Sequence, residues 1–114
     1  MKKLIYLFLF VSFTSFSQDY NDSGIEKVKN GDYYGAIADY TKAIEINPND
    51  AYAYHNRSIA KYDLKDYKGA IADCTKAIEI DPNDADAYYN RGLAKYDLKD
   101  YYGAIADYTK AIEI

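Results

Sequence analysis

Residues 35–50 read GAIADYTKAIEINPND, and the rest of the chain is organised around that stretch. It returns as GAIADCTKAIEIDPND at 69–84 and as GAIADYTKAIEI at 103–114, each copy starting 34 residues after the last. A period of that size marks a stack of small supersecondary units, each leaning on its neighbours because none can bury an apolar face alone. Within the first copy Ala36, Ile37, Tyr40, Ala43 and Ile44 recur at helical spacing and make one apolar face. Asn47-Pro48 stops that helix, since Pro has no amide for the ladder and drives its predecessor out of the helical region.

Outward from this stretch the chain divides into units 18–50, 51–84 and 85–114. Helices are expected at about Tyr33 to Ile46, Ala51 to Leu64 and Tyr67 to Ile80. Asp32, Asp50 and Asp66 stand where a side-chain oxygen caps the free amides of the helix that follows. Gly31 stands where a helix closes in the left-handed region. Lys65 and Lys99 occupy the same turn in later units, at a cost of about 1 kcal/mol for a residue with a Cβ. Residues 18–34 carry only a partial stripe (Tyr20, Ile25, Val28), with Ser23 and Gly24 in the middle, and read as a short, frayed helix. The third unit matches the second at all but six columns: 52/86, 55/89, 58/92, 59/93, 68/102 and 74/108.

This pattern resembles the tetratricopeptide repeat. The aromatic of the first helix is Tyr20, Tyr54 and Tyr88, and the small residue after it is Gly24, Ser58 and Gly92. The second helix carries Ala36, Tyr40, Ala43 and Pro48, then Ala70, Cys74, Ala77 and Pro82, then Ala104, Tyr108 and Ala111. Two columns depart from that family's pattern: Ser23, Arg57 and Arg91 replace Leu, and Lys27, Lys61 and Lys95 replace Tyr. The resemblance implies an all-α, right-handed α-solenoid of antiparallel helix pairs that binds proteins or peptides. Tyr52, His55, Asn56, Ile59, Tyr62 and Asp63 share one face of their helix, as do Asp86, Tyr89, Asn90, Leu93, Tyr96 and Asp97 of theirs. The first unit supplies Asn21, Asp22, Ile25, Val28 and Lys29. In that family the equivalent faces line a concave peptide-binding groove. Three of the six columns that differ between units two and three fall in this set: Tyr52/Asp86, His55/Tyr89 and Ile59/Leu93.

Ahead of the repeats, Lys2 and Lys3 precede an apolar run from Leu4 to Val11 that continues through Phe16. Ser15 and Ser17 then give a small-x-small site before Gln18. That is the layout of a secretory signal peptide over 1–17, too short to be a stable membrane anchor. The expectation is a mature chain from Gln18 to Ile114, exported to the periplasm or secreted. Removing 1–17 takes two Lys and no acids, so 12 cations face 18 acids and the formal charge falls from −4 to −6. An acidic surface disfavours nucleic acid, whose affinity comes from neutralising phosphates.

No catalytic constellation is legible, so no enzyme and no cofactor are expected. The single His55 and single Cys74 belong to different helices and face different ways, and Cys74 reads as a small core residue. Asp81, Asn83, Asp84 and Asp86 lack the Gly and Glu of a calcium loop and read as a Pro turn with a capping Asp. The expected ligand is a neutral or basic extended segment of roughly five to eight residues, spanning three helices about 8–10 Å apart. Arg57 and Arg91 require acids; Asp39 and Asp73 on the preceding unit's second helix are the expected partners. The alternative function is a self-associating structural piece, or a fragment of a longer array, through 103–114. That helix repeats 35–46 unchanged although no unit follows it here to cover Tyr108 and Ile112.

Overall fold

A computed structural model describes the backbone from Lys2 to Ile114 and the side-chain surroundings from Ser15 onward. Six helices follow in order: α1 (Lys2–Lys29), α2 (Tyr33–Ile46), α3 (Ala51–Asp63), α4 (Tyr67–Ile80), α5 (Ala85–Asp97) and α6 (Tyr101–Glu113). There is no strand among the described residues. Most of the apolar run read as an export signal, residues 1–14, lies outside those whose side chains are described.

Local chemistry ends and starts each helix where the repeat placed its punctuation. Asp32, Asp50, Asp66, Asp84 and Asp100 each accept a hydrogen bond from the backbone amide three residues on. Gly31, Lys65 and Lys99 sit at φ of 79°, 64° and 67°, the left-handed closure that lets the chain reverse in three residues. Asp81 Oδ1 accepts from the Asn83 amide at 3.1 Å, so the acidic stretch 81–86 is the Pro turn and cap.

The first helix differs from the sequence expectation. It is continuous through Ser23 and Gly24 to Lys29 rather than short and frayed. The reason is tertiary. A Cβ at Gly24 would stand 2.5 Å from Cε1 of Tyr40, so the missing side chain seats a buried ring that gives the helix its partner. That packing outweighs the ~1 kcal/mol that a mid-helix Gly costs. Ser17, in the column of Ala51 and Ala85, is buried. Its hydroxyl donates to Ala43 O and to Asp50 Oδ2, both at 3.2 Å. Asn21 Nδ2 donates to the same Asp50 oxygen at 2.8 Å.

Each helix packs on its sequence neighbours, giving one continuous stack α1 to α6. Alanine does most of the closing: Ala36, Ala43, Ala53, Ala60, Ala77, Ala87 and Ala94 are wholly buried at the crossings, where small side chains let helices approach. One cluster joins Ala36, Tyr40 and Ala60 beneath Ile25, Val28 and Ile37; another joins Tyr54, Ala77 and Ala87 beneath Ile44, Ile78 and Ile80. First helices also touch one another across units, α1 with α3 and α3 with α5, whereas the second helices do not. The first helices are therefore the crowded, inner layer of the curve.

Between the layers lies a repeated ion network, and its wiring corrects the expected pairing. Arg57 reaches Asp73 of its own unit, not Asp39 of the preceding one: Nε to Oδ2 is 2.8 Å and Nη2 to Oδ1 is 2.7 Å. Lys61 joins the same carboxylate at 3.0 Å. Arg91 and Lys95 hold Asp107 in the same way at 2.8 Å and 3.0 Å. The preceding unit contributes a hydroxyl instead, Thr41 to Arg57 Nη1 at 3.1 Å and Thr75 to Arg91 Nη1 at 3.2 Å. In the first unit Ser23 and Lys27 bind Asp39 at 2.6 Å and 2.8 Å. Each Arg also lies over the Tyr three residues before it, Tyr54 at 5.6 Å and Tyr88 at 5.4 Å.

Candidate functional site

Several openings border the first helices among the described residues, and three of them contain residues from successive units. One, of about 210 Å³, is lined by Ile25, Val28 and Lys29 of α1, Tyr40 of α2, and Asn56 and Ile59 of α3. The next, of about 220 Å³, lies one unit along; Ile59 borders it too, with Tyr62, Asn90 and Leu93, above a floor of Ser58, Ala70 and Cys74. A third, of about 330 Å³, is lined by Ala51, Tyr52, His55, Asp81, Asp84 and Asp86. The last, of about 590 Å³, is at the open end between α5 and α6, with Asp86, Tyr89, Tyr108 and Ile112 in its walls.

Among the residues expected to line a groove, Asn56, Ile59, Tyr62, Asn90 and Leu93 thus meet in two adjoining cavities. Tyr52, His55 and Asp86 gather around a separate, acidic one, and Tyr89 faces the open end. Asp63, Tyr96 and Asp97 line none of these openings and are exposed on the rim. The Tyr62 hydroxyl donates to Asp97, tying α3 to α5 across the groove. That bond to a carboxylate, with burial second, pushes the Tyr62 phenol up to about 12, so it remains a donor at neutral pH. Tyr62 and Tyr96 are each held edge-on by an aromatic from the next helix, Tyr67 at 5.4 Å and Tyr101 at 5.3 Å. Rigid aromatic faces of this kind give contact area at little entropic cost.

Three polar atoms in this layer lack partners among the described residues. Oδ1 of Asn21, Nδ1 of His55 and Nδ2 of Asn56 are shielded from solvent and unbonded. A buried donor without an acceptor is uncommon enough to require an explanation.

The residues that sequence reasoning left out are the floor: Ser58, Ala70 and Cys74 in one cavity and Tyr40 in the other. Tyr40 and Cys74 had been read as core, and both are nearly inaccessible, at 2% and 1% exposure. A usable signal did exist, because 58/92 and 74/108 are two of the six columns in which the last two units differ. His55 and Cys74 border different cavities, so they form no nucleophile–base pair. Burial pushes the Cys74 thiol up to about 11, against a weaker opposing hydrogen bond from Ser58. Among the described residues no cluster of three or more His, Cys, Asp or Glu side chains could hold a metal, and no helix is long and apolar enough to cross a membrane.

The fold has close counterparts among solved structures. The second TPR of Spaghetti (RPAP3), bound to the HSP90 peptide SRMEEVD, superposes with a TM-score of 0.84 at 29% identity, over 87% of this chain and 92% of that one. The Arabidopsis OM64 TPR domain is 34% identical, with a TM-score of 0.86 over 88% of this chain and 83% of that one. The TPR2B domain of yeast Sti1, in a structure described as a complex with pHsp70, is 36% identical, with a TM-score of 0.81 over 83% of this chain and 76% of that one. No curated protein sequence matches the chain. Family models described as TPR repeat match residues 24–63 and 59–99, and one described as tetratricopeptide repeat matches 85–114. Six helices in three stacked pairs, with these matches running from Gly24 to Ile114, place the chain in the tetratricopeptide repeat family.

Proposed function

We propose that this chain is a non-catalytic binding module that holds an extended protein segment along the inner face of α1, α3 and α5. The observation that carries the reading is the pair of adjoining cavities sharing Ile59, with the unpartnered Asn56 amide at one of them. An amide donor there would be satisfied by a ligand backbone carbonyl. Structural neighbours in complex with peptides support the same class of function.

The charge of the groove selects the partner. Lys29 is followed in the same column by Asp63 and Asp97, and Asp81, Asp84 and Asp86 surround the His55 opening. The peptide SRMEEVD bound by the second TPR of Spaghetti is acidic; a rim of carboxylates disfavours such a ligand and suits a neutral or basic one. The test is fluorescence anisotropy with terminally blocked basic, neutral and acidic heptapeptides. The basic peptide should bind most tightly, weaken with added salt, and lose affinity in an Asn56→Ala/Asn90→Ala variant. Equal binding of the acidic peptide, or no effect of the variant, would refute the proposal.

A second reading rests on α6. Ile112 is 84% exposed, whereas Ile44 and Ile78 of the same column pack into the core. This face would pair with a second copy of the chain. Export through cleavage after Ser17 is the further part of the proposal. It would leave the Asn21–Asp50 bond as the tie between α1 and the first Pro turn. Intact mass of protein from the native host decides it: a species retaining residues 1–17 rules cleavage out.

A further inference from the structure

We propose that the cavity between the second and third units is a specificity pocket for one aliphatic side chain, of leucine or methionine size, on a segment with Lys or Arg beside it. The inference rests on the groove reading and names what that groove selects.

The pocket is the product of two coupled columns. In the first unit the ring of Tyr40 lies against Gly24, and in the third Tyr108 lies against Gly92; an added Cβ would fall 2.5 Å and 2.7 Å from those rings. In the second unit the corresponding pair is Ser58 and Cys74. The ring is gone from the second helix, and the glycine is gone from the first. Without the ring the cavity of about 220 Å³ reaches down to Ser58 and Ala70, whereas the equivalent opening one unit back, of about 210 Å³, stops on Tyr40.

The walls decide what enters. Ile59, Leu93, Ala70 and the face of Tyr62 are apolar, Cys74 is a protonated thiol, a small hydrophobe, and Asn90 adds a single amide to the wall. The one hydroxyl on the floor, Ser58 Oγ, gives its proton to His55 O at 2.6 Å. The floor therefore offers no free donor, and a polar side chain reaching it would lose more water contacts than it regains. The Ser58 Cβ stands where it would collide with a phenol ring placed like Tyr40, which favours a slim aliphatic chain over an aromatic one. Tyr62 of the wall holds Asp97 by hydrogen bond, which fixes an exposed carboxylate on the rim one side chain away from the cavity. A cation in the flank answers it.

The test uses blocked heptapeptides Lys-Lys-Ala-X-Ala-Lys-Lys with X as Leu, Met, Phe or Ala, titrated into the chain with the Ile59 and Leu93 methyl signals followed by NMR. Leu and Met should bind about 10- to 50-fold tighter than Ala, the value of roughly three buried methylenes, and should shift both methyls. The decisive variant is Ser58→Gly/Cys74→Tyr, which installs the pair this chain already folds with twice. It should keep the helical circular dichroism of the chain and lower the Leu and Met peptides to within about twofold of Ala. Cys74→Ala, which deepens the floor, should keep the Leu preference and admit Phe. Basic peptides that bind with no preference at X overturn the pocket and leave the groove reading standing. A preference that survives in the double variant also overturns it. Failure of every peptide to bind overturns both.

Discussion

Replacing Asp73 with Asn should destabilise the array more than any other single isosteric change on its surface-facing layers. The carboxylate is 5% exposed and receives three charged contacts, two from Arg57 and one from Lys61. Asn keeps the volume but removes the charge, and it turns one acceptor into an N–H directed at a guanidinium N–H. Breaking a buried ion pair from one side costs about 3–5 kcal/mol. Arg57 and Lys61 are 17% and 19% exposed and can recruit some water, which lowers the expected loss to about 2–4 kcal/mol. For a domain of this size that is a fall in Tm of roughly 10–20 °C, measured by far-UV circular dichroism, with urea melts for the free energy. A cycle with Arg57→Met should show coupling of about 1–3 kcal/mol, because the two changes remove one interaction between them. Asp107→Asn, which removes the same contacts from Arg91 and Lys95, should cost a comparable amount. A loss below about 0.5 kcal/mol for Asp73→Asn, or additive single variants, would refute the claim that this network stabilises the stack.

Gly24→Ala should destabilise by about 1–3 kcal/mol in chemical denaturation despite the better helix propensity of Ala, because Tyr40 is 2% exposed and has nowhere to go. Gly92→Ala should be milder, since Tyr108 is only partly buried and can swing; equal costs would contradict the steric account. Burial alone would raise Asp107 and Asp39, but bonds to Arg91 and Lys95, and to Lys27 and Ser23, outweigh it and hold both carboxyls below the usual range. A carboxyl lowered on folding adds stability above its unfolded value and loses it as pH falls through its folded value. Melting temperature should therefore hold near neutrality and fall below about pH 4, with a flatter acid limb in Asp107→Asn; a midpoint unchanged down to pH 2.5 would remove these carboxylates from the stability account. Light scattering should show concentration-dependent association that Ile112→Lys abolishes, and a monomer persisting to high micromolar concentration would exclude pairing through α6.

How much of this was readable from the sequence depended on the range over which the determining contacts act. The caps, the left-handed turns and the Pro stops involve atoms within a few residues of one another, and the helix limits from Tyr33 onward followed from them closely. The ion network acts across a hairpin, and there the expectation was wrong although the information was present. Arg57 and Asp73 lie eight residues on either side of Lys65, the turn residue with positive φ, and Arg91 and Asp107 lie eight on either side of Lys99. In an antiparallel pair with a three-residue reversal, residues equidistant from the turn face each other. Hairpin symmetry therefore selects the acid of the same unit, whereas reasoning from stacking alone selected the preceding one. One step out of that register, seven residues before the turn residue and nine after it, Gly24 lies against Tyr40 and Gly92 against Tyr108, and Ser58 and Cys74 hold the same two columns. Read singly, Gly24 looked like a weak point in a helix and Cys74 like a small core residue. Read as facing pairs, a missing Cβ accommodates a ring in the first and third units, and in the second both residues have changed together. That the residues expected in the groove share one face of each first helix was legible from their spacing. The floors of the openings were not, because Tyr40, Ala70 and Cys74 belong to the second helices, and which of them an opening reaches depends on how the two helices pack.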